Sequence, residues 1–468
     1  MDLISLLNNT ANGLSAIQAK TATISNNIAN ANTPGYARQQ ANLVEGVPSA
    51  LGGARGFIGG GMYLLNVTQT RDQFVESQLS AAFSHSYGST AESNALASVS
   101  TFDNGSNGNL TDAMSAFYSS LTALAQNAGD PGLRQSAVQS AAWLASSFNR
   151  TSAALEQARS GVDASITGLV QQVNSTMTQV AALNHRISVI EASGGEPNDL
   201  LDQRHNLMDQ AAQLIGASQV PDAYGNISLV LPGGTTLVSS SSAATLTLQG
   251  NDTNKGHSDL VFAPADGSAP VVLPQSELGG QIGGLLSARD GALGTASTRV
   301  DNLALTFARA VNAQSHAGFA LDGSGGGDVF HVAATPYGAA ATLTIDPALA
   351  RNPSLLAAAG SAISGPGDAT NLQAMVGTQS APIFGGLDVQ TEMAGIVSDF
   401  GTAAADSENA AAFDKSMLTN LEDTRASVSG VSLDEEMVGL MQAQHAYQAL
   451  AKVITTTAEL LDTLMQLK

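Results

Sequence analysis

The acidic triplet Asp434-Glu435-Glu436 is the tightest group of ionisable side chains in this 468-residue sequence. Neighbouring carboxylates can act as the general acid and general base of a hydrolytic reaction. Here Gly430-Val431-Ser432 comes directly before the acids, which is typical of a loop that leads into a helix. Negative charge in the first turn stabilises the helix dipole. We therefore expect these carboxylates to begin a helix and not to catalyse a reaction.

The sequence also lacks the residue patterns of other kinds of catalytic or binding site. The seven histidines are far apart and form no HExxH pair, and the absence of cysteine excludes thiol catalysis, disulfides and thiolate metal sites. The glycine-rich segment from Gly53 to Gly61 does not lie between a strand and a helix start, as a phosphate-binding loop would. The turn from Gly323 to Asp328 lacks the repeated aspartates of a calcium loop. The sequence predicts no catalytic, metal or cofactor site, and no enzyme.

The composition limits the classes of molecule that this protein could bind. The formal net charge is −21, from 18 basic and 39 acidic side chains, which argues against nucleic acid and anionic membranes. Only 12% of residues are charged and 4% are aromatic, so the surface repels neighbouring subunits weakly. No apolar stretch is long enough to span a membrane. Asp2 precedes Leu3 and the first basic residue is Lys20, so we expect no cleavable signal peptide.

The elements that would position any site begin with two segments of heptad spacing, one at each end of the chain. In the N-terminal segment the four-three steps fall on Leu3, Leu7, Thr10, Leu14, Ile17, Thr21, Ile24 and Ile28. In the C-terminal segment they fall on Leu433, Met437, Leu440, Gln444, Tyr447, Ala451, Ile454, Ala458, Leu461 and Met465. This spacing predicts two helices that pair with each other as an antiparallel coiled coil.

The C-terminal helix has a second apolar face, formed by Leu450, Val453, Leu460, Leu464 and Leu467. One partner helix cannot cover both faces, so we expect neighbouring subunits to cover the second one. A two-helix pair buries little apolar surface, and we expect both termini to be largely disordered in the free subunit.

The N-terminal helix ends in an amide-rich stretch from Ser25 to Tyr36. Thr33 precedes a proline and leaves the helical region, Pro34-Gly35 suits a type II turn, and Asn30 or Asn32 can bond the last helical carbonyls. A helix end needs only two or three such residues. Five are present, at Ser25, Asn26, Asn27, Asn30 and Asn32. The surplus predicts a polar contact between subunits.

The remaining periodicities predict a mainly α fold with small β inserts, arranged as an elongated rod. Helical spacing from Leu133 to Ala192 indicates a long helical bundle, and alternation in residues 227–262 indicates strands. We predict a terminal coiled-coil domain of residues 1–33 and 430–468. The helical-bundle body would comprise 34–216, 280–318 and 391–429, with β-rich inserts at 217–279 and 319–390.

The two terminal segments carry a resemblance. Residues 25–36 resemble the N-terminal signature of bacterial flagellar axial proteins, which include the rod, hook and hook-associated proteins. Residues 431–437, continuing through Gln444, 446–448 and 453–454, resemble the matching C-terminal signature. Three interior runs are similar to the hook-associated protein 1 family, which forms the hook–filament junction: 198–204, 278–286 with Arg289-Asp290, and 311–314 with Gly318. His205 departs from the aspartate usual in that family, and the β inserts look small for it.

The resemblance implies a structural protein of the flagellum, the organelle of bacterial motility. Subunits would form a homo-oligomeric ring between hook and filament, in contact with hook protein and with a second hook-associated protein next to the filament. An export chaperone would bind near the C-terminal helix, and the protein would reach its extracellular position through the flagellar type III export apparatus. We expect the assembly interface to include Leu7, Leu14, Ile24, Asn26, Asn27, Ile28, Asn30, Asn32, Pro34, Gly35, Tyr36, Leu433, Met437, Leu440, Gln444, Tyr447, Ile454, Leu461 and Leu464.

Two alternatives stay open on the sequence. Another axial protein, of the hook or distal rod, would share both terminal signatures, but the helical run from Leu133 to Ala192 counts against it. A secreted enzyme or adhesin could use the β inserts, although residues 217–279 and 319–390 contain no recognisable site.

Overall fold

The computed structural model describes residues 3–50, 57–99, 109–221 and 226–466, and long helices dominate these ranges. The helices are α1 (Leu3–Asn30), α2 (Gln73–Ala97), α3 (Leu110–Gln126), α4 (Pro131–Ala192), α5 (Asn198–Ile215), α6 (Gly280–Leu286), α7 (Leu293–His316), α8 (Ala339–Thr342), α9 (Pro347–Arg351), α10 (Thr370–Gly377), α11 (Val389–Ser429) and α12 (Leu433–Gln466). The predicted mainly α class with small β inserts is confirmed.

The strands form several small antiparallel sheets. They are β1 (Gln39–Glu45), β2 (Ser49–Ala50), β3 (Phe57–Ile58), β4 (Met62–Gln69), β5 (Ser218–Pro221), β6 (Ile227–Val230), β7 (Thr236–Ser239), β8 (Ser242–Ala243), β9 (Thr245–Gly250), β10 (Ser258–Ala263), β11 (Val271–Val272), β12 (Phe330–His331) and β13 (Thr344–Ile345).

Helix α4 is the spine of the body. It has 62 residues, which at 1.5 Å per residue makes it about 93 Å long. The Asp130 side chain caps its first turn by accepting a hydrogen bond from the Leu133 backbone, and Pro131 occupies a position where no backbone N–H is needed. Its apolar stripe is buried against α3, α5, α7 and the β elements. The long helix predicted from Leu133 to Ala192 is confirmed.

An aromatic cluster forms the centre of this core. Phe307 of α7 lies with its ring centroid 5.7 Å from that of Phe117, 6.3 Å from Phe148 and 5.4 Å from Phe330. Each of these side chains is almost completely buried. They join α3, α4, α7 and β12, so segments distant in sequence share one core.

Helix α11 packs antiparallel against α2 on the side of the body, where Leu418 lies in a small core with Val75, Leu79 and Phe83. It runs without interruption from Val389 to Ser429. The predicted break at Gly430 is present. A Cβ at this glycine would lie 2.2 Å from the Ala426 carbonyl oxygen, which explains why glycine separates α11 from α12.

The β elements between α5 and α6 form a four-stranded sheet, in the order β5-β6-β7-β8, and a three-stranded sheet, β11-β10-β9. Both lie against α4 and are held by asparagine side chains. Asn184 donates to the carbonyls of Ile227 and Ser240, and Asn174 both donates to and accepts from the backbone of Leu246. The β-rich character predicted for residues 217–279 is therefore found.

The expectation of a second β-rich insert at residues 319–390 was wrong. The segment contains two strands of two residues each, β12 and β13, together with α8, α9 and α10. Its apolar side chains, including Phe330, Leu343 and Leu372, complete the core of the body. Thr342 ends α8, and Thr344–Ile345 form β13, which pairs with β12.

The terminal helices pair as an antiparallel coiled coil. Gly13 of α1 faces Leu450 of α12, and Ile24 faces Gly439, so sequence number rises along one helix as it falls along the other. On its other side α1 lies against the hairpin of β1 and β4, where Met62 packs near Ile17 and Ile24.

The register predicted for α12 in this pair was wrong at several positions. Leu433, Met437, Gln444 and Tyr447 are exposed. The stripe that faces α1 instead contains Leu440, Ala443, Ala446 and Leu450. Small side chains allow the two helices to approach closely, so the alanines take the seam and the larger side chains are left outside. Leu440, Ile454 and Leu461 are partly buried, as the predicted seam requires.

Candidate assembly site at the joint of the terminal helices

The joint between the terminal helices and the body is organised around Asn27, whose side chain is 1% exposed. Its Oδ1 accepts hydrogen bonds from the Tyr36 hydroxyl at 2.8 Å and from the Gln39 backbone N–H at 2.9 Å. Its Nδ2 donates to the Gln39 carbonyl at 2.9 Å and to Glu436 Oε2 at 3.2 Å. All four bonds that an amide side chain can readily make are formed. Asn27 therefore fixes the chain reversal after α1.

Glu436 links this network to the other end of the chain. Its Oε1 accepts from Arg38 Nε at 2.7 Å, and Arg38 also pairs with Glu435 through Nη1 at 3.2 Å. The Arg38 backbone N–H donates to the carbonyl of Ser429 at the end of α11. The acidic triplet does lie in the first turn of α12, as predicted, but Glu436 is buried and paired.

The turn after α1 has the predicted geometry. Gly35 has φ +76°, which is the left-handed conformation that the third position of a type II turn requires, and the Tyr36 N–H donates to the Thr33 carbonyl. Asn30 Nδ2 donates to the carbonyl of Asn26 at 3.1 Å, so it bonds a late helical carbonyl as expected. The amide-rich stretch is thus a helix end and a structural network at once.

A second polar network holds this turn on the body. Arg71 donates to the Gly35 carbonyl and to Asp202 Oδ1, each at 2.7 Å, and to Glu76 at 3.0 Å. Arg425 of α11 bonds Asp209 at 2.8 Å and lies 3.5 Å from Glu76. Asp202 belongs to the run at 198–204 that we singled out in the sequence. Its role is to anchor the turn of the terminal segment on α5.

Two side chains near the joint have strongly shifted pKa values. Burial, together with Arg71, Arg204 and Arg425, lowers the pKa of His205 to about 3, so this histidine is neutral at physiological pH. Burial, reinforced by the negative charges of Asp202, Asp199 and Glu436, raises the pKa of Tyr36 to about 12. The Tyr36 hydroxyl therefore remains a hydrogen-bond donor to Asn27 at neutral pH.

The outer face of α12 differs from the rest of the molecule in the exposure of its apolar side chains. We define this face by its exposed apolar side chains: Leu433, Met437, Val438, Met441, Tyr447, Val453, Leu460, Leu464 and Met465. Met437 is 57% exposed and Leu464 is 55% exposed, whereas the apolar stripe of α4 is buried. Large exposed apolar patches are typical of interaction sites, so this face is the candidate assembly surface.

The predicted interface residues divide into two groups. Ile24 and Asn27 are buried within the chain, and Leu7, Leu14, Ile28, Asn30, Gly35, Tyr36, Leu440, Ile454 and Leu461 are partly buried. Asn26, Asn32, Pro34, Leu433, Met437, Gln444, Tyr447 and Leu464 are exposed. Asn27 is thus occupied within the chain and not open to a neighbouring subunit. The contact of the others with neighbouring subunits stays a prediction.

Sequence reasoning missed Arg38 and the burial of Glu436. Arg38 is an isolated basic residue directly after the turn, in a chain with only 18 basic residues, and this scarcity was an available signal. Nothing in the sequence pairs it with an acid almost 400 positions away. Leu467 and Gly53, named in the sequence predictions, lie outside the described residues.

No group of three or more His, Asp or Glu side chains is placed to bind a metal ion anywhere in the part of the chain that the structure describes. Within the same residues, every helix is either too short or too polar to cross a membrane.

Comparisons with known proteins agree with this layout. The profile of the flagellar hook-associated protein FlgK helical domain matches residues 97–330, which is half of the chain. The profile of flagella basal body rod proteins matches residues 7–36, and that of the C-terminal region of the basal body rod FlgEFG proteins matches 425–467. The last two matches cover the paired terminal helices, and the first covers much of the body.

Curated relatives carry one name, flagellar hook-associated protein 1. The Escherichia coli protein is 28% identical over 99% of this chain and 100% of its own length, and the Bacillus subtilis protein is 28% identical over 96% and 95%. The Salmonella typhimurium protein is 33% identical over 70% of this chain and 59% of its own length.

A solved structure shares the fold. The flagellar hook junction protein FlgK from Burkholderia pseudomallei superposes with a TM-score of 0.68 at 20% identity, covering 75% of this chain and all of that one. The helical-domain match separates this chain from rod and hook proteins, whose profiles match only its ends. The chain belongs to the flagellar hook-associated protein 1 (FlgK) family and is a structural protein of the bacterial flagellum.

Proposed function

We propose that this chain builds the junction between hook and filament by packing the outer face of α12 against neighbouring subunits. The observation that carries the proposal is the exposure of these side chains, which the contact with α1 leaves uncovered. Burying an apolar side chain contributes about 1.5–3 kcal/mol, so nine exposed side chains represent a large unused driving force.

Hook protein as a partner is supported by the names of the relatives, and the other proposed partners are those that the sequence resemblance implies. Copies of the chain would form a ring, with hook protein on one side and a second hook-associated protein on the filament side. Before assembly, an export chaperone would cover the same face of α12 and keep it from aggregating. The protein would pass to the extracellular flagellum through the flagellar export apparatus.

Substituting Tyr447→Glu tests the proposal directly. Assembly would bury the new carboxylate without a partner, which costs about 3 kcal/mol or more and weakens binding at least 100-fold. We expect the purified variant to keep the thermal unfolding of the parent and to lose binding to isolated hooks, measured by co-sedimentation.

The matched control is Tyr337→Glu, an equally drastic change at an exposed tyrosine of the body. It should bind hooks as the parent does. Leu440→Glu is a second variant that should also lose hook binding. The cause would differ, because Leu440 lies against α1 and its substitution disrupts the helix pair itself. Normal hook binding by Tyr447→Glu would contradict the assembly role.

A further inference from the structure

Glu436 is the one member of the acidic triplet that is buried, at 3% exposure, while Asp434 and Glu435 are exposed. A carboxylate taken out of water is destabilising unless it is paired and hydrogen-bonded. Both of its hydrogen-bond partners, Arg38 Nε and Asn27 Nδ2, come from the N-terminal end of the chain. The first turn of α12 can therefore dock only where residues 27–38 already have their folded arrangement.

The dependence also runs in the other direction. Three of the four hydrogen bonds of Asn27 are local, to Tyr36 and to the backbone of Gln39, and form without the C-terminal helix. The fourth goes to Glu436, and without it a buried N–H donor lacks a partner. The Arg38 backbone also needs Ser429, at the end of α11. Each terminus supplies what the other would leave unsatisfied, and an unsatisfied buried group costs more than an absent one.

The apolar seam mixes large and small side chains. The buried residues of α12 are Glu436, Ala443 and Thr457, and α1 buries Ile17 and Ile24 together with Gly13 and Ala16. Where the facing residues are small, as at Gly13 and Ala443, the apolar contacts resist a shift of one helix along the other less than large side chains would. A single buried polar contact is the feature that fixes the register of paired helices, because a shifted pair leaves it unpaired.

We infer that Asn27, Arg38 and Glu436 form a lock, which makes the ordering of the two chain termini one cooperative step and fixes the register of α12 on α1. Its biological purpose rests on the assembly role proposed above, since cooperative ordering ensures that the outer face is presented only when both helices are in place. The lock itself is a property of the single chain.

The absence of cysteine allows a specific test. With Gly13→Cys and Leu450→Cys, two thiols face each other across the pair, since a Cβ at position 13 would lie 3.5 Å from the Leu450 side chain. A short bifunctional thiol reagent traps even a minor docked population irreversibly. The initial crosslinking rate in the free full-length chain then reports the docking equilibrium far from the lock.

We expect Glu436→Gln to lower the docking equilibrium constant about tenfold, equivalent to about 1.4 kcal/mol. The glutamine amide has one acceptor oxygen in place of two, so its N–H group faces either Asn27 Nδ2 or Arg38 Nε and a donor meets a donor. Glu435→Gln is the matched control, because Glu435 has the same type, is one position away, and also pairs with Arg38, but is exposed. It should crosslink at nearly the parent rate.

Equal crosslinking rates in the parent and both variants would overturn the inference. An equal loss of crosslinking rate in both variants would also overturn it, because that result would indicate only a helix-dipole effect. A parent chain that does not crosslink would also overturn it. Hydrogen exchange gives a second measurement, in which Glu436→Gln should increase exchange at Gln39 and in residues 20–30. These measurements contain no hook, so they test the lock independently of the assembly role. If the lock is found in a chain that does not bind hooks, only the proposed function is contradicted.

Discussion

Helices α4 and α12 are both long and rich in apolar residues, yet the chain treats them in opposite ways. Along α4, large side chains such as Leu144, Phe148 and Val173 are buried by other parts of the same chain. Along α12, the described buried residues are Glu436, Ala443 and Thr457, while many large side chains, such as Met437, Met441 and Leu464, are exposed. The difference shows that α4 has its partners within the subunit, whereas large apolar side chains of α12 have none there.

A similar contrast exists between two buried asparagines. Asn184 of α4 donates to Ile227 and Ser240 and accepts from Arg204, so it holds a β sheet on the body. Asn27 makes the same kind of bonds at the joint, but one of its partners belongs to α12. One asparagine closes the body, and the other connects the body to a helix pair of low intrinsic stability.

Among the tests of the contrast between the body and the terminal helices, the substitution Phe307→Ala has the largest expected effect. Its ring lies at the centre of the aromatic core, so we expect the body to lose about 3–5 kcal/mol of unfolding free energy. The only tryptophan, Trp143, lies in α4, so its fluorescence during urea unfolding reports the body. Phe413→Ala on α11 is the control, and its 69% exposed ring should change stability by less than about 0.5 kcal/mol. A large loss in the control would show that α11 is covered within the subunit.

The next effect distinguishes the two asparagines. Asn184→Ala leaves two carbonyls and the Arg204 guanidinium without a partner, and we expect a loss of about 1–3 kcal/mol in the unfolding followed by Trp143. Asn27→Ala should leave that unfolding unchanged and should accelerate proteolytic removal of the two termini, measured by mass spectrometry. If Asn27→Ala lowered the stability of the body as much as Asn184→Ala, the two regions would fold as one unit.

The smallest effect concerns pH. The folded-state pKa of His205 is lowered to about 3, below the ordinary 6.5, mainly because of burial. Protonation therefore favours the unfolded chain, and the stability that the neutral ring contributes is present above pH 6.5 and is lost as the pH falls toward 3. We expect His205→Gln to reduce the acid sensitivity of the body, measured from Trp143 unfolding at pH 7 and pH 4.5. The exposed His185→Gln is the control, and an equal change there would contradict a specific role of His205.

Much of the architecture could be predicted from the sequence because it depends on local patterns. The period of the apolar residues identified α4, the terminal helices and the strands of residues 217–279. Thr33-Pro34-Gly35 identified the turn, because a residue before proline leaves the helical region and glycine accepts a positive φ. Gly430 was recognised as a helix break for a similar local reason.

The sequence predictions were wrong where the structure depends on contacts between residues that are distant in the sequence. The heptad positions of α12 suggested that Leu433, Met437 and Tyr447 face α1, but close approach of the helices favours Ala443 and Ala446 there. Residues 319–390 were predicted to be a β-rich insert, yet they contain mainly short helices, and their apolar side chains complete the core of the helical body.

The sequence by itself determined that this chain has paired terminal helices, a long helical body and a small β insert, because side-chain periodicity and turn chemistry act over a few residues. Only the tertiary structure decided which face of α12 remains outside, and that Glu436 meets Asn27 and Arg38. Those outcomes depend on how closely two helices approach and on which buried polar groups find partners, and neither quantity is encoded in any short stretch of residues.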